Sequence, residues 1–111
     1  MSDAACAAGD WVRVDASAPA EGEVLELALG DRKMLVCRAG GALYAIEDRC
    51  PHVGVSLAGG RLRGFVYECP LHGGRLDVRD GSPVELPIRR AAACFAVRES
   101  GHGLEILLPA A

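Results

Sequence analysis

Two short segments of the chain set a thiol and an imidazole within three residues of each other: Cys50-Pro51-His52 and Cys69-Pro70-Leu71-His72. Sixteen residues separate His52 from Cys69. Glycine follows each segment closely, Gly54 after the first and Gly73-Gly74 after the second. Side by side, the segments would offer two sulfur and two nitrogen donors. That soft donor set suits zinc or an iron–sulfur cluster. Structural zinc sites usually pair like ligands along the sequence; here each segment mixes them. A mononuclear site gains nothing from the mixing. A two-iron cluster does, because each segment can give its Cys to one iron and its His to the other. The glycines fit the same reading, since cluster sulfides accept backbone N–H bonds and glycine allows close approach. A zinc module used for binding remains the competing reading of these residues.

The elements that must position these segments read as short strands. Apolar bursts rich in Val, Leu and Ile are broken by Gly, Asp and Pro. Trp11 to Val14 alternates, and Glu23 to Cys37 reads as a hairpin turning at Gly30-Asp31. Leu43 to Ile46, Leu62 to Glu68, Arg75 to Val78, Phe95 to Val97 and Leu104 to Leu108 follow. Closely spaced turn signals predict an all-β fold, a sandwich or a barrel. Cys50 and Cys69 each fall just after such a burst, so both segments lie in strand-connecting loops. Ile88 to Val97 contains an alanine run with helix propensity, but Pro87 and Ser100-Gly101 box it in, and it reads as the approach to a strand.

The chain has 111 residues, enough for one domain over 1–111. Its formal net charge is −3 and its pI about 5.5. This acidic balance argues against nucleic acid and anionic membrane surfaces as partners. No run approaches the roughly 18 apolar residues of a membrane helix. Met1 to Ala8 lacks the basic and apolar regions of a secretory signal, so the expected location is cytoplasmic.

The pattern C-x-H, sixteen residues, C-x2-H, with glycine closing the second loop, resembles the Rieske [2Fe–2S] family. Within it the chain looks most like the small ferredoxins of bacterial aromatic-ring-hydroxylating dioxygenase systems. Gly81, Pro83 and Pro87 fall where that family has a Gly/Pro-containing loop. The resemblance implies a β-sandwich with a small cluster-binding subdomain made of two loops, roughly residues 48–80. It implies Cys50 and Cys69 on one iron and His52 and His72 on the other. It further implies a monomeric one-electron carrier, not itself a catalyst, between an NAD(P)H-dependent flavoprotein reductase and a terminal oxygenase. A small Rieske subunit of a nitrite reductase-like complex is the alternative assignment.

The chain also departs from the respiratory members. Their extra loop cysteines, which form a disulfide, are matched here by Val55 and Leu71. Their Ser and Tyr, which donate O–H bonds to sulfur, are matched by Gly74 and Leu76. Such bonds stabilise the more negative reduced cluster, so their absence predicts a potential near the low Rieske limit of about −150 mV rather than about +300 mV.

The remaining candidates read blandly. Cys37 and Cys94 sit in apolar runs and are expected to be buried inert thiols. Cys6 and His102 carry no expected role. Trp11 is expected to anchor the core at the domain edge. Arg49, Arg61, Arg63 and Arg75 are expected at solvated sheet edges, with a patch for an acidic partner as the sharper option. Pro51, Val53, Leu71 and Pro83 are expected to flank the histidine side as a small dry patch.

Overall fold

The computed structural model describes residues 9–50, 56–70, 73–86, 88–101 and 103–108. Among the described residues, eleven strands form three antiparallel sheets. The first contains β1 (Asp10–Val14), β11 (Gly103–Leu108) and β10 (Val97–Ser100), in that order. The second contains β2 (Val24–Leu29), β3 (Arg32–Ala39), β4 (Ala42–Glu47) and β9 (Cys94–Phe95). The third contains β5 (Arg61–Arg63), β6 (Val66–Glu68), β7 (Arg75–Asp77) and β8 (Pro83–Glu85). No helix occurs among the described residues, so none is long and apolar enough to cross a membrane.

The second sheet is the middle layer, buried on both faces. Pairing sets Leu35 opposite Ile46 and Ile46 opposite Cys94, and these three face one core. The intervening row, Val36 with Ala45 and Phe95, faces another. A strand's side chains alternate between faces, so a strand between two cores must be apolar at every position. That is why Met34-Leu35-Val36-Cys37 is a continuous apolar run rather than an alternating one. One core joins this sheet to Leu104 and Ile106 of the first sheet. The other joins it to Tyr67, Leu76 and Val78 of the third-sheet region, together with Cys50 and Cys69.

The expected hairpin from Glu23 to Cys37 is present as β2–β3. Leu62 to Glu68, expected as one burst, is itself the hairpin β5–β6, turning at Gly64-Phe65. Phe65 lies under the Arg79 guanidinium, whose carbon is 4.2 Å from the ring centroid. Pro83, placed in a loop by the sequence, instead opens the edge strand β8, where a residue without an N–H costs no ladder bond. The helix-prone stretch after Pro87 forms neither helix nor strand until β9.

Two side chains differ from expectation. Trp11 is 39 % exposed rather than a core anchor. It lies on the outer face of the first sheet, stacked 3.8 Å from the Arg98 guanidinium carbon, and Arg98 in turn pairs with Glu105. Alternation explains this: Val12 and Ile106 pair toward the core, which turns Trp11 outward. Cys94 is buried as expected but is held in a disulfide rather than left as a thiol. Cys37 is the inert thiol the sequence suggested. Burial, with the Glu21 carboxylate adding to it, pushes its pKa up to about 11. Cys6, His102 and Pro87 lie outside the described residues.

Gly81 ties the loop after β7 to the segment before β9. It exchanges backbone bonds with Asp77 and Ala92, at 2.7 and 2.8 Å. Its φ is +77°, and a Cβ there would meet the Ala92 carbonyl oxygen at 2.1 Å. Gly30 also has positive φ, but open space surrounds it. Gly81→Ala should therefore cost at least about 2 kcal/mol, against about 1 kcal/mol for Gly30→Ala, read as urea midpoints at unchanged slope. Equal losses would contradict the close approach at Gly81. For Cys37, a pKa near 11 leaves roughly one thiolate in a thousand at pH 8. Peptide mapping after N-ethylmaleimide treatment should find Cys37 unmodified in the native protein and labelled in denaturant.

Candidate metal centre

Cys50 lies three residues beyond the end of β4, and Cys69 directly follows β6. Both are nearly inaccessible, at 1 % and 2 % exposure, and both belong to the same apolar core. Neither is joined in a disulfide. The fold thus gathers into one dry region two thiols that are 19 positions apart in sequence (69 − 50). A thiolate buried this way needs a cation beside it. His52 and His72, with Pro51, Val53, Val55 and Leu71 beside them, lie outside the described residues, so the expected nitrogen side of the centre is not part of this geometry.

Each loop is closed at its base. In the first, the Asp48 backbone N–H donates to the Lys33 carbonyl at 2.9 Å, fixing the near end to β3. Asp48 Oδ1 accepts three bonds from the far end: Ser56 Oγ at 2.8 Å, Leu57 N at 2.6 Å and Ala58 N at 3.1 Å. In the second, Cys69 N donates to the Gly74 carbonyl at 2.7 Å and Gly73 N returns a bond to the Cys69 carbonyl at 3.1 Å.

Tyr67 sits between the loops. It is buried, and its hydroxyl donates to the Leu57 carbonyl while accepting from Gly60 N at 3.0 Å. Burial raises its pKa above the ordinary phenol value, the Gly60 bond opposes that, and the nearby Asp48 and Glu26 carboxylates and Cys69 add to the rise. The phenol is therefore a neutral O–H donor across the physiological range. Gly60 allows this approach. A Cβ there would lie 2.1 Å from the Glu68 carbonyl oxygen and 2.8 Å from the Tyr67 ring.

A cleft of about 500 Å³ opens beside Cys69, lined by Gly59, Gly60, Gly73, Arg61, Glu68 and Pro70. Three glycines on its wall make it a place where backbone comes close to whatever occupies it. Buried sulfur donors at the inner ends of two closed loops, beside a glycine-walled cleft, fit an iron–sulfur group.

The arginines named from the sequence do not make a bare basic patch. Register sets Arg61 opposite Glu68, Glu68 opposite Arg75, and Arg75 opposite Glu85. Signs alternate along that row, and Arg75 approaches Glu85 to 3.4 Å. Arg49 and Arg63 are exposed, as is Pro83. Sequence reasoning missed Asp48, Leu57 and Tyr67 as organisers of the loops. The signal was present as an acid and a phenol, each two residues before a cysteine.

The profile of the Rieske [2Fe–2S] domain matches residues 10–96. The chain is similar to the ferredoxin component of biphenyl 2,3-dioxygenase from Rhodococcus jostii, 34 % identical over 96 residues, covering 86 % of this chain and 82 % of that one. Among solved structures it resembles the ferredoxin of carbazole 1,9a-dioxygenase from Nocardioides aromaticivorans. That match has a TM-score of 0.80 and 31 % identity, and covers 90 % of this chain and 98 % of the other. It also resembles a chain in a complex of reduced oxygenase and oxidised ferredoxin of carbazole 1,9a-dioxygenase, with TM-score 0.75, 33 % identity, and coverage of 87 % and 92 %. The chain belongs to the Rieske [2Fe–2S] domain family, and a Rieske-type [2Fe–2S] cluster is its cofactor.

Proposed function

We propose that the chain is the ferredoxin of an aromatic-ring-hydroxylating dioxygenase system, an electron carrier that is not itself a catalyst. It would receive single electrons from an NAD(P)H-dependent flavoprotein reductase and deliver them to a terminal oxygenase. Cys50 and Cys69 would hold one iron, and His52 and His72 the other, within residues 48–80 of a single unit spanning 1–111. The observation that carries the reading is the burial of Cys50 and Cys69 in one core at the ends of two loops that each also carry a histidine. The similarity to ferredoxin components over most of the chain supports the assignment, and a relative's complex with its oxygenase supports that partner.

When bound, the cluster supplies a reversible one-electron store. This chain's residues supply the rest. Two thiolates balance part of the iron charge, and neutral imidazoles leave the set less negative than four thiolates would. This raises the potential above the roughly −400 mV of plant-type ferredoxins. Leu35, Ile46, Leu57 and Leu76 exclude water from the sulfur side. The Tyr67 hydroxyl is committed to backbone, and Gly74 and Leu76 have none to offer, so none of these three positions gives sulfur the O–H bond that would raise the potential further. Partners would bind transiently, through a small interface.

The purified protein should be red-brown, and on reduction should give an EPR signal with average g below 2. Its midpoint should lie near about −150 mV, and a value above zero would overturn the low-potential reading. Under anaerobic conditions a flavoprotein reductase with NADH should bleach it, and an aromatic-ring oxygenase should reoxidise it. Failure of both transfers with a correctly loaded cluster would overturn the carrier role. His72→Ala should abolish the visible spectrum and lower the unfolding midpoint, because metal binding contributes to folding free energy. Unchanged absorbance in that variant would remove His72 from the ligand set.

A further inference from the structure

Cys50 and Cys69 hang from different sheets. The strand before Cys50 is β4, in the middle sheet, and the strand before Cys69 is β6, in the third. No backbone ladder joins these two sheets among the described residues. Core packing alone would leave the separation of the two cysteines soft, because apolar contacts are non-directional. Besides the Gly81–Ala92 backbone bond, a directional route runs directly between the residues beside the two cysteines. Asp48, two residues before Cys50, accepts from Leu57 N at 2.6 Å and from Ala58 N at 3.1 Å, and the Ala58 N–H shares one peptide unit with the Leu57 carbonyl. The carbonyl of that same Leu57 accepts from the hydroxyl of Tyr67, two residues before Cys69. Leu57 is itself wholly buried in the shared core, so its peptide is held from three sides.

We propose that Asp48 and Tyr67 are positioning residues of the cluster site, which staple the two cysteine-bearing loops together through the Leu57–Ala58 peptide. The proposal rests on the ligand assignment above. The staple fixes the sulfur-to-sulfur distance from outside the cluster, so the iron end gripped by thiolate is restrained even when a partner presses on the histidine end. Tyr67→Phe removes only the hydroxyl oxygen. The Leu57 carbonyl keeps its bond from Gly60 N at 3.3 Å, so the variant cuts the tie without orphaning the acceptor. Asp48→Asn keeps an oxygen able to accept the two backbone bonds from Leu57 and Ala58, whereas Asp48→Ala keeps none.

The test follows cluster loss from the holoprotein, as decay of visible absorbance in excess chelator. A wild-type protein without a Rieske spectrum would defeat the ligand assignment, and with it the staple, before any variant is made. With the spectrum present, Tyr67→Phe should speed cluster loss about fivefold, the scale of one net hydrogen bond, and Asp48→Ala at least as much, since it removes the acceptor of three. Asp48→Asn should stay within about twofold of wild type. The double variant Asp48→Ala/Tyr67→Phe should fall clearly short of the product of the two single effects, because both act through one peptide. Ile106→Val, which weakens the other core, should lower thermal stability yet leave cluster loss within about twofold. The EPR lines of the two loosened variants should broaden as the ligand geometry spreads. Wild-type rates in Tyr67→Phe and Asp48→Ala would overturn the staple. So would a multiplicative double variant, an Asp48→Asn as fast as Asp48→Ala, or an Ile106→Val as fast as either.

Discussion

The structure depends on holding two sulfur atoms at a fixed place inside an apolar core. Cys50 and Cys69 are almost fully buried, and neither is in a disulfide. Burial disfavours a thiolate by several kcal/mol unless a cation offsets it. With the proposed ligand set, the inorganic group and the dry core would require each other: the metal would make buried thiolates tolerable, and the core would keep water from competing for the iron. Both loops answer that requirement with short, closed bases rather than long excursions. Asp48 gathers three donors at one, and Cys69 exchanges backbone bonds with Gly73 and Gly74 at the other.

The middle sheet makes this arrangement stiff. Each of its strands places alternate side chains in two cores, so Leu35 and Cys37 cannot shift without moving Met34 and Val36. Single strands thus run from the core that contains Cys50 and Cys69 into the one that contains Leu104 and Ile106. Little ionic structure is needed for this. The ion pairs Arg75–Glu85 and Arg98–Glu105 lie at the surface, where such pairs contribute about 0–1 kcal/mol.

Where local chemistry dictates structure, the sequence was readable. Gly30-Asp31 turns the β2–β3 hairpin, and the Cys and His spacing identifies the family before any coordinates. It was unreadable where a residue's fate is set by something distant in sequence. The outward turn of Trp11 follows from its register against β11, nearly a hundred positions away (107 − 11 = 96). The disulfide at Cys94 cannot be inferred from one cysteine in an apolar run. The β8 strand was hidden by its proline, which reads as a loop signal until the ladder shows that it occupies an edge. The arginines looked like a patch because Glu68 and Glu85 interleave with them only in the sheet. Asp48 and Tyr67 are ordinary residues in the sequence, and they matter because both address the same peptide.

That last arrangement also bears on redox tuning. A phenol has one proton to donate. Given to a sulfur, it stabilises the reduced cluster and raises the potential. Given to a carbonyl, it sets geometry. Here the Tyr67 proton goes to Leu57, and the Leu76 side chain packed opposite it has no proton to give. Geometry and high potential thus compete for the same hydroxyl, and this chain resolves the competition in favour of geometry. In the proposed role, with electrons supplied from a reducing nicotinamide donor, the chain would lose nothing by this, since a low potential would leave more driving force for the next transfer.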